Sequence, residues 1–295
     1  MTMRVPAPVE GALWMILAGS CFAAMTGLIR PASENLHPLM VCFLRAVFGA
    51  ILMTPLLLRA RGLSPANHVR PILVGRAVVD AGAMALWFVV IPALPLATAI
   101  ALNFTSPLFS VVFAIFFLGE VVRARRWAAI GIGFLGVLII KQPTADGFDW
   151  PALFVLSSAA LAAMARVGAR HLTRTMDAET VVAIHFFLIA PILFLPALFV
   201  WSWPTIEAMA WIFALAMCGT LGHFCIAKAV AVAEASEVAP FDYFQLVIAA
   251  AIGYFAYAEV PEPTTWLGAT VIAGSATYIA RREAQLRRAR AAVNG

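Results

Sequence analysis

Displaced by 139 positions without a gap, the second half of this chain lies on the first: Phe116 falls on Phe255, Glu120 on Glu259, Val121 on Val260, Trp127 on Trp266 and Ile140 on Ile279. The same displacement holds at the front of the unit, where Leu17 meets Leu156 and Ala23-Ala24-Met25 meets Ala162-Ala163-Met164. Alanine and leucine coincide cheaply in an apolar chain, so the glutamate and tryptophan matches carry the argument. A chain that contains its own half twice is restricted to architectures built from two equal units.

What the unit is follows from its best-preserved stretch, Pro95 to Ile140, which reads apolar run, charged turn, apolar run. Pro95 to Leu118 carries no charge, and at about 1.5 Å per residue it is long enough to cross a bilayer core. The whole chain agrees, being 63% hydrophobic and 12% charged, against roughly half and a quarter in soluble domains. So little charge cannot cover a water-facing surface, and the chain reads as an all-α integral membrane protein with ten transmembrane helices. The expected spans are 10–30, 37–59, 70–92, 95–118, 125–141, 150–171, 178–201, 206–230, 236–258 and 263–281. The third and fourth are divided by Pro92-Ala-Leu-Pro95, because proline removes a backbone donor and disfavours helix in the residue before it. The first span, behind Arg4, has the flavour of a signal peptide, but its counterpart near Trp150 sits mid-chain, so it is read as a membrane helix.

Orientation follows from the basic residues of the short loops. A cytoplasmic N-terminus assigns Arg59, Arg61 and Arg70, then Arg123, Arg125 and Arg126, then Arg170 and Arg174, and finally Arg281 to Arg290 to the same side, leaving little more than Arg30 and Lys141 outside. The net charge of +5 therefore reports topology rather than nucleic-acid binding. Five helices per unit is odd, so the second unit enters the membrane from the opposite face, the inverted-repeat plan of many secondary transporters. The loop with Arg123, Arg125 and Arg126 aligns with one carrying Glu262, Thr264 and Thr265, so positive charge is lost where the rule requires it. The expected organisation is a first repeat over 1–145, a second, inverted repeat over 146–281 and a basic tail over 282–295, with both termini cytoplasmic in a bacterial inner membrane. The four cysteines lie in apolar runs without metal-ligand spacing and read as packing residues.

The segment Asn103-Phe-Thr-Ser-Pro107 through Phe117-Leu-Gly-Glu120, with Trp127-Ala-Ala-Ile-Gly131 behind it, and its second copy ending Tyr257-Ala-Glu259-Val-Pro261 with Trp266-Leu-Gly268, resemble the drug/metabolite transporter superfamily, specifically the ten-helix EamA type. The resemblance covers essentially the whole chain. It implies a secondary carrier, and among bacterial members the chain looks most like exporters of aromatic and other neutral amino acids. The second copy departs from the first in placing Leu246 where Pro107 would recur, its own proline being Pro240.

Polar residues inside spans normally face a cavity or a partner. In the third span Arg76, Asp80, Met84 and Trp87 share a face. They read either as a cavity-lining stripe, with Trp87 offering a flat surface to an aromatic substrate, or as an Arg76–Asp80 ion pair joined by Arg45. In the fourth, Asn103, Ser106 and Ser110 share a face beside Pro107, a candidate hinge whose missing donor frees a carbonyl; small polar helix packing is the plainer reading. The ninth places Asp242, Tyr243 and Gln245 at the shifted positions of Asn103, Phe104 and Ser106, just after Pro240, the second candidate hinge. Polar residues at equivalent positions suit a site on a two-fold axis, whereas Asp242 paired with Lys228 would be structural. His223 in the eighth span suits substrate binding or proton relay; His185 in the seventh reads more simply as packing. Glu120 and Glu259 read as loop anchors, Met25 and Met164 as packing, and Ala129 with Gly133 and Ala269 with Ala273 as close helix contacts.

The candidate substrate site is thus Asp80, Met84, Trp87, Asn103, His223, Asp242, Tyr243 and Gln245, with Pro107 and Pro240 as hinges. No catalytic constellation, cofactor or metal site is expected. The expected partners are the lipid bilayer and a small-molecule substrate, with proton coupling permitted by Asp80, Asp242 and His223 but not required, in a monomer or weak homodimer. The first functional expectation is export of small metabolites, amino acids foremost, by alternating access. The alternative is an uptake carrier or exchanger for a bulkier nucleoside-like or cofactor compound. An integral-membrane enzyme or scaffold is the remote third.

Overall fold

The computed structural model describes residues 7–59, 71–118, 124–142, 149–172 and 178–294. Glu120 and Arg123, and likewise Arg61, Arg70 and Arg174, lie outside the described residues. All regular elements among the described residues are helical: α1 (Ala7–Ala32), α2 (Pro38–Arg59), α3 (Pro71–Val90), α4 (Leu96–Asn103), α5 (Ser106–Leu118), α6 (Ala124–Lys141), α7 (Trp150–Leu172), α8 (Ala178–Leu198), α9 (Ile206–Val232), α10 (Ala235–Asp242), α11 (Phe244–Tyr257) and α12 (Pro263–Asn294), with a short 3-10 turn at Ile91–Ala93. Seven described segments are long and apolar enough to cross a membrane, and Trp127–Lys141 and Ile184–Leu198 are shorter apolar helices; with α12 these make ten. Large side chains such as Phe116, Phe199, Ile206 and Phe255 are more than 70% exposed, which water would penalise and lipid does not.

The fourth and ninth spans, each expected as one helix, are both broken. The first pieces, α4 and α10, have eight residues each and lie 139 positions apart. At the first break Pro107 has no N–H to give the Asn103 carbonyl, and Thr105 and Leu108 make tight three-residue bonds, Thr105 N to Leu102 O at 3.1 Å and Leu108 N to Thr105 O at 2.9 Å. At the second, Leu246 has its N–H but gives it to Tyr243 O at 3.1 Å, so the break forms there without the proline. The two breaks touch: the Phe104 and Tyr243 rings meet at 4.8 Å, nearly perpendicular. Gly19 lets α1 close on the second break, since a side chain there would come within 3.2 Å of Gln245 Cβ and 3.5 Å of the Asp242 carbonyl.

Helix packing follows the repeat. α1 packs on α9 as α3 packs on α7, α1 on α11 as α5 on α7, while α2 pairs with α8 and α6 with α12. The last pair approaches backbone to backbone, the Gly268 Cα lying so near the Gly136 carbonyl that a Cβ there would collide with it. Ser275 Oγ donates to the Ala129 carbonyl across the same interface. These contacts put Ala129, Gly133 and Ala269 inside the bundle between its own halves.

One polar knot ties the ends of α1, α3 and α11. Arg30 pairs with Glu259 at 2.6 Å, donates to the Leu94 carbonyl at 2.6 Å and lies 4.6 Å over the Tyr257 ring. Glu259 also accepts from the first N–H of α4, Leu96, at 2.9 Å, where a carboxylate answers the helix's orphan donors. Tyr257 closes the knot by donating to the Gly27 carbonyl at 2.8 Å. The tail, expected as a separate basic segment, continues α12 without interruption to Asn294.

Candidate functional site

The polar side chains of the spans converge on the middle of the bundle. Asp80 of α3 meets His185 of α8, Oδ2 to Nε2 at 2.6 Å, a distance at which the imidazole N–H donates to the carboxylate. Arg76, one turn earlier, does not pair with Asp80; its Nε donates to the Ala165 carbonyl of α7 at 3.2 Å, and its buried Nη1 has no hydrogen-bond partner. The expected Arg76–Asp80 pair is thus replaced by a carboxylate–imidazole pair between helices, with Arg76 and Arg166 within electrostatic reach of the same carboxylate. Among the described residues His185 Nδ1 is likewise buried without a partner, whereas buried polar groups are ordinarily hydrogen-bonded.

Arg45 of α2 reaches the same region and donates to two thioethers, Met84 Sδ at 2.9 Å and Met25 Sδ at 3.7 Å. His223 of α9 stands between the Phe22 and Phe186 rings, 5.2 Å and 5.8 Å away and nearly perpendicular to each. It is nonetheless exposed. The rings that flank this exposed imidazole come from α1 and α8, one from each half of the chain. Arg166 of α7 is also exposed and yet hydrogen-bonds Ser106, a residue only 4% exposed whose own hydroxyl donates to the Ala159 carbonyl at 2.8 Å. Asp242, the last residue of α10, is half-buried and within reach of Arg166. Lys228, the partner considered for it, lies instead 5.5 Å over the Phe224 ring.

The residues singled out from sequence therefore divide. Asp80, Met84 and His223 gather in one cluster with Arg45, Arg76, Arg166 and His185. Asn103 and Asp242 end the two half-helices, and Asn103 is half-buried. Trp87 is half-buried and packs on the main core beneath Met84. Gln245 lies against Gly19. Tyr243 turns to the other side, where with Phe104, Pro240 and Leu246 it lines a groove of about 740 Å³ against α12, between Trp266 and Gln285. Pro107 lies in the first turn of α5, and Pro240 in the last turn of α10. His185 was legible only as a lone histidine, and Arg45 only as an adjunct to another pair, because their partners are far away in sequence. Among the described residues no group of three or more His, Cys, Asp or Glu has the geometry to hold a metal. This cluster offers cations, a carboxylate, two imidazoles, thioethers and aromatic edges, groups able to recognise a small molecule.

The model of a family described as the EamA-like transporter family matches the chain twice, over residues 9–142 and 149–281. The chain is 32% identical to a riboflavin transporter of Rhizobium johnstonii, over 93% of this chain and 92% of that protein. It is 28% identical to an S-adenosylmethionine uptake transporter of Rickettsia bellii, over 90% and 91%. A pseudopaline exporter, CntI, of Pseudomonas aeruginosa is 28% identical over 92% and 96%. A solved structure at 21% identity, covering 94% of this chain and 98% of that one, superposes with a TM-score of 0.62 and shares the fold.

Proposed function

This chain belongs to the EamA-like transporter family, and from that premise we propose that it is a secondary carrier for a bulky, ring-bearing metabolite of the nucleoside or cofactor kind. It is a multi-pass membrane protein whose function is transport of a small molecule across a lipid bilayer. The observation that carries the finer reading is the side-chain cluster around His223, where rings, thioethers and charged groups from both halves converge. A neutral amino acid needs one ammonium partner, one carboxylate partner and a side-chain pocket. The groups gathered here exceed that need, and the relatives named above carry riboflavin, S-adenosylmethionine and pseudopaline in their names. Those names favour the bulkier substrate over the amino acids to which the sequence first pointed.

In this reading the substrate contacts Asp80, Met84, Trp87, Asn103, His223 and Asp242, with His185 orienting Asp80. Tyr243, Gln245, Pro107 and Pro240 belong to the paired helix breaks, about which the halves rock in alternating access. The chain sits in a bacterial inner membrane with both termini in the cytoplasm, and the Asp80–His185 pair is where a proton would be carried if transport is coupled to one. Counterflow in proteoliposomes tests the substrate class: vesicles preloaded with unlabelled riboflavin, S-adenosylmethionine or tryptophan are challenged with the matching labelled compound. We expect the flavin or the nucleoside compound to accumulate transiently and tryptophan not to. Counterflow with tryptophan alone would return the carrier to the amino-acid exporters.

A further inference from the structure

The most unusual charge in the molecule is Arg45. It is 8% exposed, among Met40, Val41, Cys42 and Ala46, which are at most 1% exposed. Among the described residues no carboxylate pairs with it. Asp80, the acid within electrostatic reach, is occupied by His185 at 2.6 Å. The guanidinium donates instead to Met84 Sδ at 2.9 Å and Met25 Sδ at 3.7 Å.

A thioether is a weak acceptor, whereas a guanidinium makes its strong bonds to a carboxylate or phosphate through two parallel N–H groups. A buried cation without a counter-ion is costly, and an ionisable residue at membrane depth serves function by default. Two features distinguish the arrangement from a plain structural tie. Gly219 packs directly on the guanidinium, since a Cβ there would lie 2.8 Å from both Arg45 Nη2 and Met25 Sδ, so no larger residue fits beside the charge. The groups now in contact with it belong to unbranched, rotatable methionines, which withdraw at little cost. The formal charges point the same way: among the described residues of this cluster, Arg45, Arg76 and Arg166 stand against Asp80 and Asp242.

We propose that Arg45 is the anion-binding element of the transport site and that the transported metabolite carries a carboxylate or phosphate, which replaces the two sulfurs on the guanidinium. This rests on the carrier reading for its biological meaning but not for its test. The purified full-length protein is titrated with benzoate, phenyl phosphate and the neutral isostere benzamide, with thermal stabilisation as the readout. The expected result is an apparent affinity for at least one of the two anions at least tenfold above that for benzamide. Benzoate and phenyl phosphate separate the carboxylate from the phosphate source. Arg45→Met abolishes the preference, Arg45→Lys keeps a reduced one, and Met84→Leu, by removing the competing acceptor, strengthens it severalfold.

Equal response to anions and amide, including none to any, overturns the proposal, as does a preference that survives Arg45→Met. Should Arg45→Met fail to fold, the other two variants decide, and a preference unchanged in both overturns it. Of the two compounds, S-adenosylmethionine bears a carboxylate and riboflavin bears neither group, so counterflow with riboflavin alone would overturn the proposal; counterflow failing with both would instead remove the carrier reading for bulky metabolites, leaving the anion result to stand by itself.

Discussion

In the proposed carrier the transport role is most directly tested at Asp80 and His185, which join two helices through a single short bond of 2.6 Å inside the bundle. Asp80→Asn and His185→Gln are near-isosteric and each keeps a polar group able to hydrogen-bond the other. We therefore expect each to keep the melting temperature within a few degrees and to lower counterflow at least tenfold; undiminished transport in either would place the pair in the scaffold. Glu259 shows the opposite balance. Glu259→Ala removes the counter-ion of Arg30 and the acceptor for Leu96 N–H, and charge-assisted bonds of this kind are worth about 2 kcal/mol. That loss is expected in a reversible unfolding titration, with Arg30→Ala and the double variant measured alongside to isolate the pair. Sequence reading reached Glu259 as a loop anchor, since a glutamate recurring beside a turn has few other uses. Arg45 was reachable only as a possible neighbour of the third-span charges. A guanidinium bonded to methionines of two other helices leaves no local spacing to read.

At the level of the helix, the fourth and ninth spans carry the main lesson. Their prolines were legible as hinges, and each does lie next to a break, but in different pieces: Pro107 after the first, Pro240 before the second. Leu246 occupies the position equivalent to Pro107 and the break is still there. The discontinuity is therefore held by what packs on it, namely Phe104 against Tyr243 and Gly19 against Gln245, and such contacts are invisible in a single span. Pro107→Ala should accordingly keep counterflow within about twofold of the parent; a tenfold loss would make the proline itself the hinge. The α6–α12 crossing gives a sharper contrast between two glycines of one helix. Gly268→Ala drives a methyl into the Gly136 carbonyl and Ile140, and overpacking of that kind costs about 1–3 kcal/mol. Gly274→Ala meets nothing within 4 Å and should be neutral or stabilising, since alanine is the better helix former by about 1 kcal/mol. Melting temperatures of the two variants, measured side by side, check the sign of each.

Across the whole molecule, the displacement of 139 was the most legible property, because a repeat is written in residue identities and needs no geometry to be seen. The way the two copies embrace was not legible: apolar helices that are hydrophobic all round give no periodicity to say which face meets which neighbour. The structure answers through matched pairs. Gly136 meets Gly268 while Ser275, the counterpart of Gly136, bonds Ala129, the counterpart of Gly268; Phe104 meets its own counterpart Tyr243. Contacts in which i meets j and j′ meets i′ are the mark of an isologous interface, ordinarily seen between identical subunits. The chain is in that sense a homodimer with a covalent tether, and the tether crosses residues 143–148. Two separately expressed fragments, 1–145 and 146–295, should then find one another in the membrane and restore counterflow, as two subunits would.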